Sequence, residues 1–340
     1  MIDRLLILVV LLSMASPGHA TKQLFPDQFD YRRYNQLAGP DLLAQDWQED
    51  GKYSLSIRYQ SRSAETFYQG EKEVAGTTIQ DDYTFLATQY DHRQLDVTVT
   101  SGISATSNFV LRIGAVDKTI HLKDDAEGTT KVQKKGLKDI YAGFVIKAID
   151  TNDWRMNMHL GMFLPVALTN ISGTVGGDSQ TLGYVMQHGS NSASLMPGLG
   201  VSRYFYRWSA GLEATAVIPL YPNDLDYLLG KEMHLKPWVS TAIGKSVSVY
   251  AMGHYQKVER PKSAHPNMDA SLAWTRDSRN VGGSSADIAV GAYLQVDWWR
   301  FAQYRLFIEQ RIPVYRNLNG TQLQHEQQLS FGLRFQPIKK

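Results

Sequence analysis

Between Trp154 and Val166 the chain reads WRMNMHLGMFLPV. Every second residue of that stretch is apolar: Trp154, Met156, Met158, Leu160, Met162, Leu164 and Val166. The residues between them, Arg155, Asn157, His159, Gly161, Phe163 and Pro165, are mostly polar or small. Successive side chains leave a pleated strand on opposite sides, so the pattern predicts a strand with two unlike faces. Strands of soluble sheets hold such a pattern for about 5–6 residues, and here it runs from 154 to 166. A tilted strand of about 9–11 residues crosses a bilayer. The stretch therefore predicts a membrane-spanning strand.

The alternation recurs along the chain. Tyr53, Leu55, Ile57 and Tyr59 alternate with Ser54, Ser56, Arg58 and Gln60. Further segments open at Tyr83 and Leu95, run from Ile140 to Ala148, and follow Leu199, Trp208, Met233, Val247, Ile288 and Tyr304, and the series ends at Leu329 to Phe335. These predict an all-β chain, a transmembrane antiparallel β-barrel of about twelve strands, preceded by a short arm. Tight turns are expected at 91–93, 150–153, 206–207, 244–246 and 298–302. Long loops are expected at 61–80, 104–135, 167–194, 221–232, 258–285 and 315–326, with an extra hairpin outside the membrane around Phe109, Leu111 and Ile113. Short turns on one side and long loops on the other is the organisation of an outer-membrane barrel, whose turns are periplasmic. Trp154, Tyr206, Trp208, Trp298, Trp299 and Tyr304 fall beside the short turns, where an interfacial aromatic girdle belongs. A large soluble β-sandwich is the competing fold, and it would need a second layer against each apolar face.

The start of the chain reads differently. Arg4, the run LLILVVLLSMA and the small residues Gly18 and Ala20 have the form of a secretory signal peptide over 1–20. Residues 21–51 lack alternation and are expected to form an arm, periplasmic or inserted into the lumen, ahead of a barrel over 52–340. No later stretch is apolar for long enough to make a membrane helix. Zero Cys excludes a disulfide framework and thiolate metal sites. A formal charge of +2 gives no electrostatic case for nucleic acid. The partners expected are the outer-membrane bilayer, a small-molecule solute and the barrel-assembly machinery.

Faces opposite the apolar sets should line the lumen. The candidate solute path is Arg58, Lys147, His159, Glu213, His254, Tyr293, Arg305, Phe307, Glu309 and Arg311. Arg305, Phe307, Glu309 and Arg311 share one face of a single strand and make the densest row of charge. These charges either pair across the lumen and brace it or form a constriction that meets solute. Inward Tyr141, Phe163, Tyr204 and Tyr250, with Met196 and Met252, add an apolar track, and inward glycines such as Gly143, Gly161, Gly211, Gly291 and Gly332 leave either bends or space. Catalysis has little to stand on. His188 and Ser190 are the one close Ser–His pair, without a Gly-x-Ser-x-Gly elbow. No two His residues stand two or four apart, and no cofactor is expected.

The segments GLKDIYAGFVIKAID (136–150), FLPV (163–166), SLMPGLGVSRYFYRW (194–208) and IPVYRNLNGTQLQHEQQLSFGLRF (312–335) resemble the outer-membrane "MetA-pathway of phenol degradation" family. The resemblance covers roughly residues 80–335, and NLNGTQL is its most specific part. It implies an outer-membrane barrel that moves hydrophobic or aromatic compounds. One departure is that Phe335 is followed by Gln336–Lys340, where outer-membrane barrels commonly end on an aromatic residue. The function expected is passive diffusion of such solutes through a narrow or partly plugged lumen. A non-transporting surface-binding or structural barrel is the alternative, and a lipid hydrolase at Ser190 a third.

Overall fold

The computed structural model describes residues 39–43, 47–80, 82–124, 128–205, 207–243, 246–299 and 302–337. The expected signal peptide, the first part of the arm and the girdle residue Tyr206 lie outside the described residues, as do the side chains of Trp298 and Trp299. In chain order come β1 (Tyr53–Gly70), β2 (Lys72–Val74), the short helix α1 (Gly76–Gln80), β3 (Phe85–Ser104), β4 (Ser107–Asp124) and β5 (Thr129–Leu137). They are followed by β6 (Ile140–Asp150), β7 (Trp154–Leu164), β8 (Ser172–Val175), β9 (Asp178–Thr181) and β10 (Ser194–Tyr204). The last are β11 (Trp208–Pro219), β12 (Glu232–Ile243), β13 (Val247–Val258), β14 (Gly283–Trp299) and β15 (Ala302–Pro337).

Eleven of these elements close into one antiparallel barrel, in the order β1, β3, β4, β6, β7, β10, β11, β12, β13, β14, β15 and back to β1, while β2 and β5 pair at its margin. Closure leaves no unpaired edge, which a sheet in hydrocarbon cannot tolerate. Neighbours in an all-antiparallel ring alternate in direction, so the number of staves must be even. Element β15 resolves the parity, because it pairs with β14 through residues 302–318 and with β1 through residues 318–335. It folds back on itself at Asn319-Gly320, where Gly320 takes a φ of 57°. Gln310 Nε2 donates to Gln327 Oε1 at 2.8 Å and the rings of Tyr304 and Phe335 lie 5.4 Å apart, as facing halves of a hairpin should. The wall thus has twelve staves.

The two faces are as unlike as the alternation demands. Met158 and Leu160 are 50% and 54% exposed on the outer surface, while His159 between them is 3% exposed. Ile57, Leu95, Phe144, Val201, Val290, Ile308 and Phe331 continue the outer apolar belt around the wall.

The division of the chain into staves differs from expectation at three places. The stretches opening at Tyr83 and Leu95 are one strand, β3, and Asp91-His92-Arg93 is not a turn but its middle. Residues 104–135 are not a loop carrying a hairpin; they supply the barrel strand β4, joined to β3 by a turn at 105–106, and β5 beside it. Residues 315–326 hold a tight hairpin inside β15, and β1 continues through most of the expected loop 61–80. One physical cause covers all three. The strands extend past the membrane into water, where polar and charged residues sit in the ladder without ending it.

Above the membrane the long connections do not splay. Phe67, Phe85, Leu86, Tyr90, Ile120, Val132, Met186 and Trp274 form a buried cluster that roofs the barrel. Trp274 Nε1 donates to Ala87 O at 3.4 Å, and Lys118 Nζ donates to Val185 O and Gln187 O at 2.9 and 2.6 Å. These bonds tie the roof to the wall.

Candidate functional site

Residues 39–43 and 47–51 run through the lumen. Entry is at the short-turn end, where Asp50 bridges Gly102 and Gly51 N donates to Gly102 O at 3.1 Å. A Cβ at position 102 would lie 2.0 Å from Glu49 O, so only glycine lets the segment approach the wall there. Above it Lys147 Nζ sits 4.2 Å from the Trp47 ring.

In mid-barrel Asp41 meets two arginines from the opposite ends of the chain. Its Oδ1 pairs with Arg58 of β1, and its Oδ2 accepts from Arg311 Nη2 of β15 at 2.5 Å. Glu309 lies behind them, 3.2 Å from Arg311 Nη2 and 3.6 Å from Arg58 Nη2, and accepts from the Tyr250 hydroxyl at 2.9 Å. On the other side Glu213 accepts from Leu43 N at 3.0 Å and lies 3.7 Å from Lys236 Nζ, which donates to Asp41 O at 3.2 Å. Three cations therefore face three carboxylates around the inserted segment. That balance is what lets charges survive in a site where Glu309 is 1% and Glu213 3% exposed.

Two leucines fill the apolar space between the charges. Leu42 packs with Trp238, Tyr250, Met252, Ala289, Tyr293 and Phe307 on one wall. Leu43 packs with Val110, Tyr141, Val145 and Met196 on the other, with Trp47 and Phe163 against that cluster. The inward glycines make the room for these rings. A Cβ at Gly161 would fall 2.4 Å from the Tyr141 ring, one at Gly291 2.3 Å from Tyr250, and one at Gly332 2.6 Å from Phe307. Space, not bending, is what these positions supply.

Of the ten residues read as a solute path, Arg58, Glu213 and Arg311 hold the segment directly through Asp41 and Leu43, and Glu309 backs the two arginines. Tyr293 and Phe307 pack on Leu42. His159 is buried with Nε2 3.9 Å from Glu213, and His254 Nδ1 lies 3.2 Å from Arg311 Nη1. Lys147 pairs with Asp150 at 3.1 Å, and Arg305 faces inward opposite Gln295, nearer the short turns. All ten are on the inner face. Asp41 itself escapes a sequence reading, because a lone acid in a segment without period gives no signal. Arg62, His92, Arg316 and His325 escape it too, since they fall in stretches read as turn or loop.

The close pair His188 and Ser190 does not act together. Ser190 Oγ lies 2.9 Å from Asp139 Oδ2 and 2.7 Å from Ser192 O, either of which can accept its one hydrogen, bracing a loop, and neither ring nitrogen of His188 has a hydrogen-bond partner among the described residues. Between the inserted segment and the roof lies a chamber of about 190 Å³, lined by Arg62, Asp287, Arg311, Arg316, His325 and Gln328 among others.

No family model matches the chain, and no curated protein does. Solved structures match it in fold. An outer membrane channel from Pseudomonas putida F1 superposes with a TM-score of 0.55 at 9% identity, covering 88% of this chain and 100% of that one. The chain has the fold of an outer-membrane β-barrel. A Pseudomonas aeruginosa FadL homologue matches with a TM-score of 0.43 at 9% identity, over 85% of this chain and 90% of that one. A mutant of a monoaromatic hydrocarbon channel gives 0.43 at 9% identity, over 85% and 91%. At such identities the likeness is one of fold.

Proposed function

We propose that this outer-membrane barrel is a passive channel for small organic solutes, hydrophobic or aromatic in body, whose lumen is narrowed by the segment around Asp41. The observation that carries the reading is the position of Leu42 and Leu43. Each occupies an aromatic-lined recess in the lumen wall, on opposite sides of the same cross-section. A small apolar solute needs such recesses to cross an otherwise charged interior, because burying its surface there recovers about 25 cal/mol per Å². The segment that fills them is fastened by ion pairs and hydrogen bonds, contacts that water entering the lumen can replace. Displacing it opens a path lined by Tyr141, Tyr250, Tyr293 and Phe307.

Two measurements test this. Purified protein in planar bilayers should show small, intermittent conductance, and large steady porin-like conductance would contradict a narrowed lumen. A deletion strain should take up a monoaromatic solute more slowly and recover with the wild-type gene. Unchanged uptake would favour a structural or surface-binding barrel, the reading to which the packed roof lends weight.

A further inference from the structure

The chamber under the roof is lined by three arginines, and they are not equally satisfied. Arg316 is satisfied by Asp287 at 2.6 Å and by Ala286 O and Tyr315 O, and Arg311 by Asp41 and Glu309. Arg62 is different. Its Nε and Nη2 both approach His92 Nδ1, at 2.9 and 2.6 Å, and it forms no ion pair among the described residues. Asp91, one residue from His92, bonds instead to Ser63 at 2.8 Å on the strand's other face. Because His92 Nδ1 accepts from a guanidinium, the imidazole is held neutral and adds no counter-charge. Lys118, the neighbouring cation, spends its ammonium on roof carbonyls. A guanidinium turned toward a neutral imidazole inside a barrel is a costly arrangement unless an anion completes it.

The remaining donors point to the same partner. Arg316 Nε and Arg311 Nε are buried without a hydrogen-bond partner among the described residues. Among the other lining residues Gln256 and Gln324 bring side-chain amides, while Gln322 and Gln328 already donate to neighbouring oxygens, and Val258, Pro313 and Leu318 give a small apolar flank. One acid, Asp287, faces this set, and Arg316 already neutralises it. A cavity of about 190 Å³ has room for one small organic molecule.

We propose that this chamber is a binding site for a small organic carboxylate, with the Arg62 guanidinium as its anchor and the Val258, Pro313 and Leu318 flank against its apolar body. The proposal rests on the channel reading above and refines its solute class: the molecules selected on the way in are apolar acids, not neutral hydrocarbons. Guanidinium and carboxylate match as a two-pronged pair, so Arg, not Lys, is the residue such a site requires.

The probe is radiolabelled benzoate, with benzamide as its neutral isostere, in equilibrium dialysis against the full-length detergent-solubilised barrel at low ionic strength. Benzoate should bind saturably, one per barrel, and at least tenfold more tightly than benzamide. Arg62→Gln should lose at least tenfold in benzoate affinity while leaving benzamide binding unchanged, with Arg62→Lys between the two. Folding of each variant is checked by its heat-modifiable migration. Equal binding of benzoate and benzamide by the wild-type barrel would overturn the proposal, and that comparison holds even if Arg62→Gln does not fold. Undiminished benzoate binding by folded Arg62→Gln would overturn it as well. Conductance and uptake are scored separately. A barrel that binds benzoate but passes no solute keeps the site and loses the channel, and one that conducts without binding benzoate does the reverse.

Discussion

Arg311 donates to Asp41 across 270 residues of sequence, and the 2.5 Å contact fastens the inserted segment to the penultimate stave of the barrel. With Arg58 on the other oxygen, Asp41 is, among the described residues of the segment, the side chain that engages two wall cations. Removing one member of a buried ion pair costs about 3–5 kcal/mol. Asp41→Ala should therefore free the segment while the barrel folds normally. In planar bilayers the open fraction should rise several-fold over wild type, and heat-modifiable migration should be unchanged. An unaltered open fraction would show that the segment is not the constriction.

Met158 and His159 are adjacent and make opposite claims, one half-exposed to lipid and the other buried inside. Arginine on a barrel's lipid face near the midplane costs roughly 2–4 kcal/mol. Met158→Arg should impair assembly, reducing the heat-modifiable form in membranes. His159→Arg places a cation beside Glu213, in competition with Lys236 and Leu43 N. It should leave the barrel assembled and change its conductance. The reverse pattern would mean that the register of this strand is inverted.

Tyr141 lies across Gly161, so any side chain there collides with the ring. Gly161→Ala should destabilise the barrel by about 1–3 kcal/mol, the usual cost of overpacking, lowering the urea midpoint of unfolding in detergent. Tyr141→Leu alone should also destabilise, by opening a cavity. Combining the two should recover part of the loss, because the second change removes the collision caused by the first. Strict additivity in the double variant would rule out the contact as the cause.

Asp277 sits in the roof, where its carboxylate caps Arg279 N at 2.8 Å and pairs with the Arg279 side chain at 2.7 Å. Burial pushes the Asp277 carboxyl up, but the bonds from Arg279 outweigh it and hold the group below the usual carboxylate range. A depressed value in the folded state means stability that is present above the unfolded pKa of about 3.9 and lost as pH falls through the folded one. The roof should therefore resist protease at pH 6 and loosen below about pH 4. Asp277→Asn should show faster cleavage at pH 6, with a smaller further change on acidification. If wild type and Asp277→Asn respond alike to acid, the loosening lies elsewhere.

Much of the barrel was legible because a membrane wall imposes one rule on every stave. Alternation at Met158-His159-Leu160, or at Arg305 to Ile312, reads directly as out and in, and the inward position of the ten residues read as a solute path followed from it. What misled was the assumption that charge ends a strand. Asp91-His92-Arg93 reads as a turn only if strands stop at the membrane surface, and β3 does not. The same error hid Arg62 and His325. Asp41 was illegible for another reason: its role depends on two arginines that the sequence holds far apart, and no local pattern announces such a meeting.

Arg58 stands on the first stave and Arg311 on the hairpin that ends the chain, and β1 pairs with the last half of that same hairpin. During assembly, then, Asp41 can touch both partners only after the final residues have docked against the first strand. The clasp is a report that the ring is shut. A barrel with its seam still parted would leave Asp41 tied to Arg58 alone and its lumen ungripped on the other side, so sealing the wall and seating the segment are one event.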